Sequence, residues 1–341
     1  MASSRVLSFT DSYPYQRAIR AADVELFVTG QGDFRAELTQ IDLQELWMQR
    51  GCETLPRILH SSLSASRAAI VFLADPAQSP IRHSGLQVCP GDIVDDGLGA
   101  RHHHVSSAPC SWAAMSLSPA HLAAAGGAIL GCELTAPAAT HVLRPAPHRM
   151  ARLTALHQEA ARLARSDPAR LAHPQVARAL ERNLVHAMVH CLNPDQNGER
   201  RVGSPRHSSV IARLEELLAA SHDRPLYLAE VCAATGVAER TLRVCCNEHL
   251  GMGPIHYLWL RRMHLAREAL RRADAATATV AGIAADHGFW ELGRFSVEYR
   301  KLFGETPSRS LRGPVSSSVR RKSFQHLEQR PFKSSKSAEI A

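Results

Sequence analysis

Leu250-Gly-Met-Gly-Pro254 and Phe303-Gly-Glu-Thr-Pro307 share one frame, an apolar residue, a glycine and a proline three positions later, set 53 residues apart. Eight residues before each frame stand Leu242 and Phe295, again 53 apart. Further upstream, Gly236 matches Gly288 at an offset of 52. The stretch is an internal repeat with one extra residue in the second turn. Each copy reads as helix–turn–helix. In the first, Leu228–Thr235 is a helix, Gly236 closes it, Val237 is the apolar turn residue, and Glu239–His249 is the second helix, with Leu242 and Cys245 facing the first. Glycine suits the left-handed backbone needed at such a stop. In the second copy, Val280–His287 leads through Gly288-Phe289 to Glu291–Phe303, whose apolar stripe is Phe295, Tyr299 and Phe303. Between the copies, Pro254–Arg272 is an uninterrupted helical pattern. At ~1.5 Å per residue it spans roughly 28 Å, near the ~34 Å of one DNA turn. Such a connector could place two helices in successive major grooves on one DNA face.

The motifs Leu-Ala-Glu-Val-Cys-Ala-Ala-Thr-Gly (228–236), Arg-Thr-Leu-Arg (240–243), Ala-Gly-Ile-Ala-Ala-Asp-His-Gly-Phe (281–289) and Arg-Phe-Ser-Val-Glu-Tyr-Arg-Lys-Leu-Phe-Gly-Glu-Thr-Pro-Ser (294–308) add to this frame. Over about residues 208–312 the chain resembles the DNA-binding domain of the AraC/XylS family of bacterial transcription regulators. The resemblance implies that the first recognition helix presents Glu239, Arg240, Arg243, Val244 and Asn247. It implies that the second presents Glu291, Leu292, Gly293, Arg294 and Val297, with Ser296 and Arg300 better placed for phosphates. Arginine can grip guanine bidentately and asparagine can pair with adenine, whereas phosphate contacts only position the protein. Three positions depart from the family pattern. Ala238 replaces the usual N-cap serine, Val244 the usual arginine, and Cys246 a large apolar residue. The second helix offers few base-reading side chains, so its contacts are expected to position or to read shape.

Charge divides the chain in the same way. Residues 1–200 hold 18 Arg and 18 Asp/Glu, whereas residues 201–341 hold 22 Arg/Lys and 14 Asp/Glu, so the whole excess of +8 lies in the latter part. A basic module joined to a neutral one suits a polyanion partner for the first and a different task for the second. Part of the excess belongs to residues 314–341, a Ser- and Lys/Arg-rich stretch expected to be a disordered basic tail.

In the neutral part, Val24–Thr29, Phe34–Ile41, Leu43–Met48 and Ala68–Ala74 are short apolar or alternating segments. Gly85-Leu-Gln-Val, Pro90-Gly-Asp-Ile-Val and Ser111-Trp-Ala-Ala-Met-Ser-Leu follow. Many short strands between turn residues suggest a barrel or sandwich over about 20–117. Pro119 starts a short Ala-rich helix; His148–Ser166 and Pro174–Leu192 are longer ones. The stripe Val176, Leu180, Leu184, Met188 on the last is either core or a seam between two chains. Residues 193–207 are polar and aperiodic and read as a linker. The expected fold class is α+β: a cupin-like N-terminal β-barrel with two following helices, then an all-α domain of two helix-turn-helix motifs joined by a long helix. The expected division is 1–192 for effector sensing and dimerisation, then the linker, then 208–313 for DNA binding.

The eight cysteines show no C-x-x-C and read as free thiols. In Arg101-His-His-His-Val105, His102 and His104 would share one face of a strand. A metal needs further ligands, and no paired carboxylate spacing supplies them. The histidines are therefore expected to be polar or surface groups, with no metal or cofactor. No apolar run approaches the ~18 residues of a membrane span, and the N-terminus lacks signal-peptide order, so a cytoplasmic protein is expected. No G-x-S-x-G, phosphate loop or Rossmann glycine pattern occurs. The expectation is a non-enzymatic regulator, an activator, whose partners are double-stranded DNA, RNA polymerase, a small-molecule effector and a second copy of the chain. The alternatives are a metal-dependent cupin-type enzyme, a DNA-repair protein fused to a DNA-binding domain, and a ligand-independent DNA binder.

Overall fold

The computed structural model describes residues 2–20, 23–193, 200–202, 205–221 and 226–313. Most of the stretch expected as a linker, and all of the expected tail, lie outside these residues. The chain opens with β1 (Ser3–Phe9), α1 (Ser12–Ala18), β2 (Asp23–Val28), β3 (Ala36–Asp42), β4 (Trp47–Glu53), β5 (Arg57–Ser62) and β6 (Ala68–Leu73). It continues with β7 (Ile81–His83), β8 (Leu86–Val88), β9 (Ile93–Asp96), β10 (Arg101–Ser106) and β11 (Cys110–Leu117). Then come α2 (Pro119–Leu130), β12 (His141–Leu143), α3 (Pro147–Ser166), α4 (Pro168–Ala172), α5 (Pro174–Leu192) and β13 (Arg200–Val202). The remainder is helical: α6 (Pro205–Ala220), α7 (Leu228–Thr235), α8 (Glu239–Leu250), α9 (Pro254–Arg272), α10 (Val280–Asp286), α11 (Leu292–Phe303) and α12 (Pro307–Arg312).

The strands form two sheets, β1-β3-β4-β11-β6-β9-β12-β13 and β2-β5-β10-β7-β8, with antiparallel pairing throughout. They face one another without edge-to-edge hydrogen bonding among the described residues, so the expected barrel is an open one. Side chains alternate across each strand. On β2, Leu26 and Val28 enter the space between the sheets, with Leu38, Leu73 and Val142, while Phe27 points the other way. On β6, Ile70 and Phe72 face outward onto α2, α3 and α5, where Leu153, Leu184 and Met188 pack. Phe27 and Ile58 of the smaller sheet instead join the core of the helical domain, with Leu214, Leu242, Tyr257 and Phe295. The described residues thus form four layers: helices, large sheet, small sheet and the C-terminal helices.

Several local readings shift. Leu43–Met48 is mostly a hairpin turn rather than a strand: Leu43 N–H donates to Leu46 O, and Glu181 of α5 accepts backbone N–H bonds from Gln44, Glu45 and Leu46. Leu43 and Leu46 are apolar because that turn is buried. β1 and α1 precede the expected barrel, and β12 and β13 extend its sheet beyond Leu117. The helix expected from His148 starts at Pro147, and prolines occupy the first turn of α2, α3, α4 and α5.

The repeat accounts for the helical domain. Gly236, Gly251, Gly288 and Gly304 all take positive φ, from 67° to 76°, so both members of each matched pair end a helix in the left-handed conformation. Pro254 and Pro307 then occupy the first turns of α9 and α12.

Candidate nucleic-acid interface and inter-sheet cavity

Glu239, Arg240, Arg243, Val244 and Asn247 all lie exposed on α8, while Leu242, Cys245 and Cys246 are buried on its opposite side. Arg243 donates to Glu239 Oε1 at 2.6 Å, an i,i+4 pair that orients the guanidinium. Ala238 is the N-cap of α8 and makes no side-chain cap bond. On the second motif, Glu291, Leu292, Gly293, Arg294, Val297 and Arg300 are exposed, and Ser296 is half-buried. Phe295, Tyr299 and Leu302 face inward. Val244, Leu292 and Val297 are large apolar side chains left substantially exposed on these helices. Trp290, in the turn before α11, is 75% exposed. Sequence reasoning missed it, although its place between the turn residue Phe289 and the helix start was a usable signal.

The small sheet carries the helical domain on its outer face. Arg82 of β7 donates to the carbonyls of Asn247 (2.8 Å) and Glu248 (3.1 Å), at the C-terminal end of α8. His264 of α9 meets the Val28 carbonyl at 3.1 Å. Asp11, the N-cap of α1, pairs with Arg267 and Arg271 of α9. At the centre, Glu215 of α6 lies 3.1 Å from His60 and 3.3 Å from His103, and the Tyr257 hydroxyl bridges His60 (2.8 Å) and Glu215 (3.1 Å). Burial would raise the Glu215 carboxyl, but His60 and His103 hold it well below its ordinary value.

Between the sheets lies a cavity of about 720 Å³. Its walls include Leu59, Val71, Ala114 and Met115, with Arg20, Arg57, Arg67, Ser61, His102 and His104 as polar groups. Arg57 is only 2% exposed; it donates to Glu53 Oε2 at 3.0 Å and to the His104 carbonyl at 3.1 Å. Burial alone would lower its pKa, but the adjacent Glu53 raises it. Glu53 also accepts from Tyr15 (2.7 Å) and from Trp112 Nε1 (2.8 Å). Gly51 permits this, since a Cβ there would stand 2.4 Å from the Trp112 ring. Nothing in local spacing signalled Arg57 or Trp112.

The triple histidine is corrected by the structure. His102, His103 and His104 are 2%, 6% and 7% exposed, not surface groups, because β10 is a central strand covered on both faces. Alternation sends His102 and His104 into the cavity and His103 onto α6. Burial pushes His102 down to about 4 and His104 well below the usual histidine value. His83 and Asp96 lie beside His102, supplying possible ligands that spacing near the triplet did not reveal. A second possible set is His60, His103 and Glu215.

The family described as "Helix-turn-helix domain" matches residues 231–313. The chain is 33% identical over 140 residues to the "Probable thc operon regulatory protein" of Rhodococcus erythropolis, covering 41% of this chain and 42% of that protein. It is 33% identical over 110 residues to the "XylDLEGF operon transcriptional activator" of Pseudomonas putida, covering 32% of this chain and 33% of that one. The chain therefore spans about two fifths and one third of those relatives' lengths. Among solved structures, a probable AraC family transcriptional regulator from Rhodopseudomonas palustris is 32% identical, covering 30% of this chain and 94% of that one, with a TM-score of 0.28. The AraC-like transcriptional activator CuxR is 14% identical, covering 78% and 96%, with a TM-score of 0.39. Residues 231–313 thus form a helix-turn-helix domain similar to those of AraC/XylS-type operon regulators.

Proposed function

We propose that this protein is a transcription activator that binds specific double-stranded DNA through α8 and α11 and is controlled by a small molecule held between its two sheets. The observation that carries the reading is the pair of exposed helix faces, one in each repeat, joined by the 19-residue α9. Arg240, Arg243 and Asn247 would read base edges, with Glu239 orienting Arg243. Arg294, Leu292, Val244 and Val297 would line the groove, beside Glu291 and Gly293, and Ser296 and Arg300 would hold phosphates. The cavity combines apolar walls with arginine and histidine side chains, which suits an effector with an apolar body and a hydrogen-bonding or anionic group. β10 links the two sites: residues facing the effector alternate with His103, which faces α6. An effector that favours one arrangement of β10 would bias the domain resting on it.

RNA polymerase, a cytoplasmic setting, a non-enzymatic role and a homodimer belong to the same proposal, as does a division near residues 193–207. Among the described residues no helix is long and apolar enough to cross a membrane. Since Leu184 and Met188 pack inside the protomer, a dimer contact would fall on the outer faces of α3 and α5.

The test is binding of the full chain to its own upstream DNA. Affinity should fall about 10³–10⁵-fold between 50 and 200 mM salt if some six to ten phosphates are contacted. Arg243→Ala should cost about 1–3 kcal/mol at one base position, whereas Arg300→Ala should weaken all sequences alike. An Arg243→Ala protein with lower affinity but unchanged base preference would refute direct readout by this residue.

A further inference from the structure

We propose that His83, Asp96 and His102 bind a divalent transition-metal ion at the edge of the inter-sheet cavity. The three side chains come from β7, β9 and β10 and are all buried. One donor atom from each lies within 4.8 Å of the other two. His83 Nε2 is 2.9 Å from Asp96 Oδ1, and His102 Nδ1 is 3.7 Å from Asp96 Oδ2. Donors bound tetrahedrally at about 2.1 Å stand roughly 3.4 Å from one another, so small side-chain rotations suffice.

Two atoms point to an occupant. Asp96 Oδ2 and His102 Nδ1 are buried without a hydrogen-bond partner. Orphaned polar atoms in a protein interior are costly and uncommon, and here two of them face each other. Their far sides are fixed. His102 Nε2 meets Ser61 Oγ at 2.7 Å, Thr140 Oγ1 donates to Asp96 Oδ1 at 2.7 Å, and His83 Nδ1 lies 3.2 Å from His104 Nδ1. Outer partners of this kind orient ligands in metal sites. The other cluster, His60, His103 and Glu215, has one such atom, His103 Nε2, but Tyr257 already bridges His60 and Glu215 there.

Two imidazoles and one carboxylate suit zinc, cobalt or ferrous iron, and disfavour calcium and magnesium, which require mainly oxygen ligands. His102 also lines the cavity. A remaining coordination position would open there, toward water or toward a donor group of the effector. That last point rests on the proposed effector role of the cavity; the metal site itself does not.

The experiment uses the full chain, stripped with chelator and titrated with Co²⁺ alone, read by its visible ligand-field absorption and by calorimetry. One Co²⁺ per chain, displaced by Zn²⁺, is expected. Asp96→Asn and His102→Gln should abolish uptake, and Glu215→Gln should leave it unchanged. Ser61→Ala, at a half-buried position suited to a folded variant, should weaken Co²⁺ binding about 10–100-fold. The proposal is overturned if the wild-type chain takes up no Co²⁺, if uptake survives Asp96→Asn or Ser61→Ala undiminished, or if it is Glu215→Gln that removes it. DNA binding measured on the same samples separates the two readings: intact DNA binding without Co²⁺ uptake sinks the metal site alone.

Discussion

Leu184→Glu is expected to unfold the two-sheet part of the protein rather than to release folded monomers. Leu184 is 0% exposed and sits in one cluster with Leu153, Met188, Phe72 and Met115, so α5 holds the outer face of the large sheet through it. Replacing it with a carboxylate removes a packed side chain and leaves a charge with no partner in an apolar setting. Leu→Ala alone costs about 2–5 kcal/mol in such cores, and an uncompensated buried charge adds several more. That is comparable to the whole stability of a domain, about 5–15 kcal/mol. Circular dichroism should show loss of the strand signal, and thermal melting should lose its cooperative transition. Arg182→Glu, on the exposed side of the same helix, should melt like the wild type. A soluble, fully folded Leu184→Glu protein with a smaller particle size would make the stripe an interchain seam and contradict the packing.

The helical domain was legible because its information is local. A glycine that must take positive φ, a proline in the first turn of the next helix and an apolar residue eight positions earlier fix two helix ends and one buried face. These features place α7, α8, α9 and α11 to within a residue or so. The exposed face of α8 was legible for the same reason, since helix period alone sets which side holds Arg240 and Arg243. The sheets were only partly so. β1 reads Ser-Ser-Arg-Val-Leu-Ser-Phe and alternates weakly, because neither of its faces is fully buried. β13 is a three-residue edge strand inside a polar stretch. Leu43 and Leu46 were apolar enough to pass for strand, whereas their burial follows from Glu181, more than a hundred residues away. The set of side chains that line the cavity was illegible. His83 meets His104 and Asp96 only through the register of β7 on β10 and of neighbouring strands, and no local spacing encodes that register.

Acidification from pH 7.5 to pH 5 is expected to strip away most of the stability of the assembled chain, and His264, His249 and His157 explain why. Burial pushes His264 and His157 down to about 3 and His249 down to about 4. Each is neutral in the folded protein, whereas in an unfolded chain histidine titrates near 6.5. The unfolded state therefore binds more protons everywhere between about 6.5 and these lower values, so stability is complete above 6.5 and falls as pH drops through that window. At pH 5 each such histidine costs about 2 kcal/mol, and the three together about 6 kcal/mol. Glu215 contributes nothing in this range, since its carboxyl is held well below its ordinary value and stays charged. Two of the three histidines sit where the small sheet meets the helical domain. His264 touches the Val28 carbonyl and is flanked by Arg267 and Asp11; His249 lies against Gly85, near His103, Glu248 and His207. Protonation there places a charge in the seam between the cavity-bearing sheets and α8 and α9, so the seam should open before either side melts. Urea unfolding followed at pH 7.5, 6.0 and 5.0 should give midpoints that fall steeply below 6.5, and limited proteolysis at pH 5 should cut first between the two sides. His264→Gln, which keeps an N–H for Val28 but cannot titrate, should remove about 2 kcal/mol of the fall. Midpoints that stay level down to pH 5 would mean that these rings are solvated or already charged, contrary to the packing of α9 on β2.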